Sequence, residues 1–294
     1  MNTLAEPTTP VASSIRVRSA SRVAPGKIVL TVIMLALGLT MILPFLWMVS
    51  ASLKIQIEVY QFPIRWIPEN PQWQNYSRVW LGRYPFYRFY LNSIVVAVTA
   101  VAGVLLTSSM GGYAFAKLKF PFKESIFLTY LAMMMIPPQV LLIPRFIMFN
   151  AMGLLDTLIV LIVPFTVSAF GTFLMRQFFE QLPNELSEAA IIDGAGHVTI
   201  WSRIILPLSR PALLALMIIS FIWRWNAYLE PLVYLRSISK LTIPVGLDFF
   251  VQENTAQMNL IMAAAVTATL PLIALFLFTQ KYFIRGIVMS GLKG

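Results

Sequence analysis

Residues 28–53 read IVLTVIMLALGLTMILPFLWMVSASL, a run without a single Asp, Glu, Lys or Arg. A helix that crosses the hydrocarbon of a bilayer needs about 20 mainly apolar residues, because every backbone amide must be hydrogen-bonded within the segment. Further uncharged runs occupy residues 89–116, 125–144 and 254–280, and the run at 157–175 is also long enough. The sequence therefore predicts an all-α polytopic protein built from membrane-spanning helices.

The composition also indicates that lipid surrounds much of the protein. Of the 294 residues, 58% are hydrophobic and 12% are charged, whereas soluble proteins carry roughly 25% charged residues. A mean hydropathy of +0.76 exceeds what a soluble core of this size can bury. The net charge of +10 fits loops beside anionic lipid, so we expect membrane lipid and no nucleic acid as a partner. The absence of cysteine excludes disulfides, thiol nucleophiles and cysteine-ligated metals.

We predict six spans and one long inner loop at 176–207. The uncharged part of the fifth span is only 211–223, so its helix must extend beyond Arg210 or Arg224. Residues 1–27 are basic and rich in Ser, Thr and Pro, which predicts a disordered cytoplasmic tail, and the apolar run after them is too long for a signal-peptide core. The six spans are predicted at residues 28–50, 89–116, 125–144, 157–175, 208–229 and 258–280.

The distribution of basic residues orients the chain. An even number of spans places both termini on one side, and more than half of the Lys and Arg residues fall on that side. The positive-inside rule therefore predicts that both termini are cytoplasmic. The aromatic residues of the outer loop, 51–88, are interpreted as an interfacial belt or the core of a small lid, with stacking against a sugar-carrying partner as the alternative. These residues are Tyr60, Trp66, Trp73, Tyr76, Trp80, Tyr84 and Tyr87.

The long uncharged runs contain no acidic, basic or histidine residue. Carriers coupled to protons or sodium place such groups within the membrane, so an ion relay is disfavoured and the substrate is predicted to be neutral or lightly charged. The sequence has no Gly-Lys-Ser/Thr phosphate loop, no metal-ligand cluster and no Gly-x-Ser-x-Gly elbow. We therefore expect no catalysis, no metal and no cofactor. Energy for uphill transport must then come from another subunit.

The inner loop carries LPNELSEAAIIDGAG at residues 182–196. Asn184 is typical of an N-cap, and Gly194 or Gly196 can supply a left-handed C-terminal cap, which predicts a helix over 185–193. Small residues would let this helix approach a groove on another protein. The alternative, a helix lying on anionic lipid, is disfavoured by its acidic side chains. The small residues are Ala189, Ala190 and Gly194, and the carboxylates are those of Glu185 and Glu188.

The same loop resembles a known signature. Its residues Glu188-Ala189-Ala190, Gly194, Ile204 and Leu206-Pro207 are similar, without departure, to the coupling-loop signature of the membrane subunits of binding-protein-dependent ABC importers. Other stretches resemble the carbohydrate-importer branch, in particular the second permease subunit of maltose-type systems. They are Leu91-Asn92-Ser93, residues 112–121 (GYAFAKLKFP), residues 173–179 (FLMRQFF), Trp225-Asn226, residues 244–247 (PVGL) and residues 291–294 (GLKG).

This resemblance implies a type I importer fold, in which residues 28–294 form a six-helix permease domain with a cytoplasmic coupling helix. It implies a protein of the prokaryotic cell (inner) membrane that pairs with a homologous second permease, two ATPase subunits that use the ATP, and an extracellular or periplasmic solute-binding protein. Glu188 would contact the ATPase groove, Gly194 would permit the turn after the helix, and Pro207 would fix the start of the next span. The residues expected to couple to the ATPase are Glu185, Glu188, Ala189, Ala190, Asp193, Gly194, Leu206 and Pro207.

A substrate path is expected near the outer end of the fifth span. There Trp223, Trp225, Asn226 and Tyr228 could stack on a sugar and hydrogen-bond to it. The alternative is that these residues brace an extracellular gate.

Prolines in or beside the spans are interpreted as kinks that shape packing, with carbonyls freed toward a cavity as the alternative. The methionines 133–135 are expected in core or lipid contacts. The prolines are Pro137, Pro138, Pro164, Pro211 and Pro271.

The leading functional hypothesis is a non-catalytic importer permease for a sugar or oligosaccharide. A polyol or glycerol phosphate is the alternative solute, because specificity in such systems resides largely in the binding protein. A stand-alone secondary carrier for a neutral solute and a membrane assembly protein are the competing classes. The uncharged spans argue against the carrier, and the loop signature argues against both.

Overall fold

A computed structural model describes residues 25–84 and 86–291, with side chains for 26–84 and 86–280. All regular structure in these residues is helical. The helices are α1 Pro25–Ser52, α2 Gln56–Val59, α3 Gln74–Leu81, α4 Phe86–Lys117, α5 Lys123–Ala132, α6 Leu142–Ala151, α7 Ile159–Ile162, α8 Ala169–Glu180, α9 Glu185–Ile192, α10 His197–Ile200, α11 Leu206–Leu208, α12 Arg210–Trp225, α13 Leu229–Tyr234, α14 Ile243–Glu253 and α15 Met258–Gly291.

Several of these segments are long and apolar enough to cross a membrane. Four pass this test alone, namely Gly26–Ser52, Phe86–Lys117, Ile159–Glu180 and Met258–Gln280. Two bent pairs pass it together, Lys123–Met135 with Pro138–Ala151 at 87° and His197–Leu208 with Arg210–Trp225 at 81°. The described residues therefore hold four candidate spans, or up to six if each bent pair is one span. The all-α class predicted from the sequence is confirmed.

The first compact unit comprises residues up to Leu46, of which 25–46 are described. They form the greater part of α1, and every side chain from 26 to 46 is exposed. Water does not tolerate a contiguous apolar surface of this extent, so the helix needs lipid or another protein against it.

In the second unit, residues 47–294, two hydrophobic clusters form along α4. The first cluster contains Phe86 and Phe89 of α4 with buried residues of α12, α14 and α15. The second cluster contains Val104 and Tyr113 of α4 with Met175 of α8 and buried residues of α9, α10 and α12. Helix α8 is the most extensive neighbour of α4. The two helices therefore form the centre of this unit.

A close approach at Gly112 joins α4 to α8. A Cβ atom on Gly112 would lie 2.6 Å from Met175 Cβ and 2.9 Å from the backbone nitrogen of Arg176. Arg176 in turn binds Glu124 at 2.8 Å and Glu180 at 2.7 Å. The stretches GYAFAKLKFP and FLMRQFF thus pack against each other. This contact explains why a small residue stands at Gly112.

Two side chains of α4 hold the segment that precedes α14. The Asn92 side-chain amide donates to the carbonyl oxygens of Ser239 and Leu241, both at 3.0 Å. The Ser93 hydroxyl accepts from the buried N–H of Ile243 at 2.8 Å. These bonds satisfy backbone groups that the helices leave without a partner.

Asp156 fastens the connection between α6 and α7 to the loop after α13. Its Oδ1 accepts from the backbone N–H groups of Arg236 at 3.0 Å and Ser237 at 2.9 Å. Its Oδ2 accepts from the Ser237 hydroxyl at 2.5 Å and from Lys240 Nζ at 3.1 Å. The hydrogen bond from the Ser237 hydroxyl, followed by those from the two amides and the ammonium, holds the pKa of this carboxyl well below its ordinary value, against the opposing effect of burial.

The segment between α1 and α4 has a polar core. The side-chain amide of Asn75 donates to the carbonyl oxygens of Ser52 and Lys54, and that of Asn259 in α15 also donates to Lys54. The Lys54 side chain is 1% exposed, lies 4.1 Å from the ring centre of Trp47 and donates to the Arg65 carbonyl. Burial lowers the pKa of Lys54.

The aromatic residues of this segment divide into two groups. Tyr76, Trp80 and Tyr84 pack in the first cluster, as the interpretation as a lid core requires. Tyr60, Trp66 and Trp73 are exposed, so they do not belong to that core, and Tyr87 is half-buried outside the cluster.

Several predicted boundaries differ from the structure. Residues 1–24 of the predicted tail lie outside the described residues, but α1 begins at Pro25, so 25–27 are helical. Helix α8 ends at Glu180 and not at 175, because the two carboxylates that pair with Arg176 allow this cation to be buried in the helix. The predicted inner loop is correspondingly shorter.

The third and fifth predicted spans also need correction. The run 125–144 is bent near Pro137 and Pro138, which have no N–H to continue a helix. Helix α12 ends at Trp225, so the span predicted to reach 229 is too long. Both corrections place a break in the backbone beside one cavity, which Pro138 and Arg224 line.

Candidate functional site

Three interruptions of the helices meet at one cavity of about 410 Å³. They are the bend between α5 and α6, the break before α8 and the end of α12. Non-helical backbone is tolerated in a membrane only where it is buried in protein or lines a water-filled space. Pro138 and Pro164 lie at two of these interruptions and line the cavity. For these two prolines the alternative interpretation, backbone opened toward a cavity, fits the structure better than simple packing kinks.

The other prolines behave differently. Pro211 lies in the first turn of α12, where its missing N–H breaks no bond of the helix. Pro271 lies inside α15, which continues through it.

Two arginines and one glutamate line the cavity. The guanidinium carbon of Arg224 lies 3.9 Å from the ring centre of Phe165, and that of Arg145 lies 5.4 Å from the same ring. Glu230, in the first turn of α13, is the acidic residue of the lining. Among the side chains that the structure describes, neither arginine forms an ion pair with a carboxylate.

Arg145 was not identified from the sequence. It follows directly after Pro144, where the predicted third span ends, and only the extension of that segment through α6 brings it to the cavity. The apolar residues 146–149, which follow Arg145, were the sequence signal that the helical segment continues beyond it. Charged side chains therefore line this cavity, although the long uncharged runs contain none.

The predicted path residues separate into lining and core. Trp223 lines this cavity, and it also lines an adjacent one of about 500 Å³ together with Asn226. Trp225 is 2% exposed, donates from Nε1 to the Ala268 carbonyl at 3.1 Å and packs in the first cluster. The hydroxyl of Tyr228 donates to Asp248 Oδ2 at 2.8 Å, and this hydrogen bond raises the pKa of Tyr228.

Trp225 is therefore a packing residue and Tyr228 a bracing one. Met133 and Met134 line the cavity and are half exposed, so they are not core residues, and their contact with lipid stays a prediction. The break at residues 136–138 turns this end of α5 toward the cavity.

A second site surrounds α9, which lies within one residue of the predicted helix 185–193. Gly194 follows it with a φ of +82°, the left-handed conformation expected of a C-terminal cap. Asn184 does not cap the helix with its side chain, because its Oδ1 accepts from Lys117 Nζ at 2.7 Å. The amide is therefore used to attach the loop to α4.

The surface of α9 is both acidic and apolar. Glu185, Glu188 and Ala189 are exposed, and so are the large side chains of Ile191 and Ile192. Ile192 reaches 85% exposure. Asp193 and Gly194, which follow the helix, are exposed as well.

The opposite side of α9 is fastened to the rest of the protein. Ala190 packs in the second cluster with Tyr113 of α4 and Met175 of α8. Lys117 Nζ, besides binding Asn184, donates to the Leu182 carbonyl at 2.7 Å, and the Tyr113 hydroxyl lies 3.2 Å from His197 Nδ1. These contacts connect α9 to α4 and α8.

We expected Pro207 to fix the start of the next span, but it lies three residues before α12 begins at Arg210. It is the second residue of α11, and the 81° bend follows at Ser209 before α12 begins. A π-helical turn, Trp201–Ile205, precedes it. The proline ring cannot accept a normal turn before it, and the wider turn relieves that clash. Leu206 precedes Pro207 in the same short helix.

Residues 103–289 match the family of inner membrane components of binding-protein-dependent transport systems. The match spans more than half of the chain, so the chain belongs to this family. The resemblance seen in the loop signature is thereby confirmed. At this level the protein is a transport component of the inner membrane.

Within the family, the chain is similar to permeases for phosphorylated or sugar solutes. It is 36% identical over 267 residues to the sn-glycerol-3-phosphate transport system permease protein UgpE of Yersinia enterocolitica, covering 88% of this chain and 95% of that one. It is 33% identical over 270 residues to the arabinooligosaccharides transport system permease protein AraQ of Bacillus subtilis, covering 91% and 96%. A solved bacterial ABC transporter involved in the import of the acidic polysaccharide alginate has a similar chain, with 27% identity, a TM-score of 0.77 and coverage of 88% and 96%.

Proposed function

We propose that this chain is the permease subunit of an ATP-driven, binding-protein-dependent importer for a sugar or a related solute such as a polyol or glycerol phosphate. In this proposal it crosses the membrane six times with both termini in the cytoplasm. It pairs with a second permease, two ATPase subunits and a solute-binding protein, and holds no metal or cofactor of its own. The names of the relatives support the solute class.

The observation that carries the proposal is the position of α8 between the two sites. Its first residues, Ala169 and Phe170, line the cavity, and its last residue, Glu180, precedes the short connection to α9. At 1.5 Å per residue, its 12 residues extend about 18 Å. A rigid helix of this length carries a movement of α9 directly to the cavity.

Helix α9 has the properties of a docking element. Its exposed isoleucines provide apolar area, and Glu188 provides a carboxylate for a charge-assisted hydrogen bond in an ATPase groove. Closure of the ATPase subunits on ATP would move α9, and through Lys117 and Ala190 it would move α4 and α8. The cavity would then change the side to which it opens.

Replacement of Glu188 by lysine tests this role. Loss of a charge-assisted contact weakens docking by about 10-fold or more, so we expect uptake to fall at least as far while ATP hydrolysis by the assembled transporter continues. Glu69→Lys reverses a charge of the exposed pair with Arg65 and serves as the control, with uptake unchanged. Full uptake by the Glu188→Lys transporter would refute the coupling role.

A further inference from the structure

The charged groups of the cavity leave a net positive charge. Arg145 and Arg224 contribute two cations and Glu230 one carboxylate, and these are the ionisable side chains of the lining. Arginine cannot lose its proton at physiological pH. Both guanidinium groups are partly buried and pack on the one ring of Phe165.

Glu230 lines the same cavity but lies beyond ion-pair distance of either arginine. A partly buried charge without such a pair is costly to maintain. An interaction with the ring face stabilises a cation less than a fully formed ion pair with hydrogen bonds does. Two such groups around one cavity can therefore bind an anion that enters it. Because both guanidinium groups lie at one ring, their donors are available together to a group with several oxygen atoms.

The backbone also contributes positive electrostatic potential to this cavity. Ser168 caps α8 by accepting from the Gly171 N–H at 3.0 Å, and Ser168, Ala169 and Phe170 all line the cavity. The first amides of a helix lack intrahelical acceptors and carry the positive end of the helix dipole. The start of α8 and the two arginines therefore contribute positive potential to one space.

We propose that this cavity binds the anionic group of the transported solute, a phosphate monoester or a sugar carboxylate, through Arg145 and Arg224. The inference rests on the proposed function, since it names the chemistry of the solute within that function. Trp223, which lines the same space, supplies a face on which the uncharged part of the solute packs. Glu230 keeps the net charge low enough for the anion to leave again.

Equilibrium binding to the full chain in lipid nanodiscs, alone and assembled with its partner subunits, tests the proposal without ATP. The probes are sn-glycerol 3-phosphate and glucuronate, with glycerol and glucose as their neutral counterparts. We expect saturable binding of at least one anion and a clear preference over its neutral counterpart. If sn-glycerol 3-phosphate binds and glucuronate does not, the anionic group of the solute is a phosphate monoester. The reverse result identifies a carboxylate.

The variants Arg145→Gln and Arg224→Gln should each weaken anion binding by about 10-fold or more, the effect of losing a hydrogen bond to a charged group. Arg224→Lys keeps the charge and should retain more affinity than Arg224→Gln. Arg78→Gln removes an exposed arginine of α3 and should have no effect. Thermal unfolding of each variant separates loss of binding from loss of fold.

The proposal is overturned if neither anion binds at concentrations up to about 10 mM, the weak limit of a specific site, or if the neutral probes bind equally well. It is also overturned if the glutamine variants unfold early yet bind normally, since the arginines would then only support Phe165. These outcomes do not depend on ATP. A transporter that binds the anion but shows no ATP-dependent uptake would instead refute the proposed function.

Discussion

Replacement of Asp156 by asparagine should loosen the loop after α13 in a manner that depends on pH. An asparagine can still accept from the amides of Arg236 and Ser237 through its oxygen, but its NH₂ group faces the Ser237 hydroxyl and the Lys240 ammonium. Two charge-assisted contacts are lost. Since Lys240 is nearly half exposed, its share is small, and we expect a total loss of about 2 kcal/mol.

The sign of the pH dependence follows from the lowered pKa of Asp156. A carboxyl that is more acidic in the folded than in the unfolded protein stabilises the fold at pH values above its unfolded pKa, near 3.8. This contribution declines as the pH falls below that value toward the folded pKa. The difference between wild type and Asp156→Asn should therefore be constant from pH 7 to about pH 5 and shrink below that.

Thermal unfolding in detergent, followed by tryptophan fluorescence, measures this difference. A loss of 2 kcal/mol corresponds to a midpoint lowered by about 5 °C at neutral pH on the scale of proteins of this size. Hydrogen exchange at neutral pH should locate the loosening in residues 235–243. Asp193→Asn changes an exposed carboxylate and serves as the control. Equal midpoints for wild type and Asp156→Asn at pH 7 would refute the reasoning.

Two further substitutions test the contacts that connect the sites. Gly112→Val places a side chain against Met175 Cβ and the α8 backbone. It should destabilise the protein by about 1 to 3 kcal/mol, which lowers the unfolding midpoint. An unchanged midpoint would contradict the close packing of α4 and α8. Gly194→Ala meets no atom within 4 Å but forces a left-handed φ of +82° on alanine, at a cost of about 1 to 2 kcal/mol. Faster hydrogen exchange confined to α9 is expected, and exchange equal to wild type would show that the turn does not need glycine.

The sequence was most informative where the determinants are local. The helix over 185–193 and the left-handed cap at Gly194 follow from a local pattern, and the structure agrees within one residue. The N-cap prediction alone was wrong, because the Asn184 side chain binds Lys117 and does not cap the helix. The long apolar runs likewise identified the helices of a membrane protein. These features depend on backbone hydrogen bonding and on the solvent that surrounds each segment.

The cavity could not be predicted in the same way because it depends on contacts between distant residues. Arg145 and Arg224 are brought to the same ring only by the bend near Pro138 and by the break before α8. Trp225 and Trp223 are neighbours with similar composition around them, yet the turn of α12 places one in the core and the other at the cavity. An aromatic residue at the end of a span is compatible with either position.

The most direct test of the account is uptake into proteoliposomes that contain the chain with its partner subunits and the solute-binding protein. We predict that uptake requires ATP on the side of the ATPase subunits, requires the binding protein on the other, and is insensitive to collapse of the proton gradient. Uptake by this chain alone, driven by a proton gradient and abolished by an uncoupler, would contradict the account.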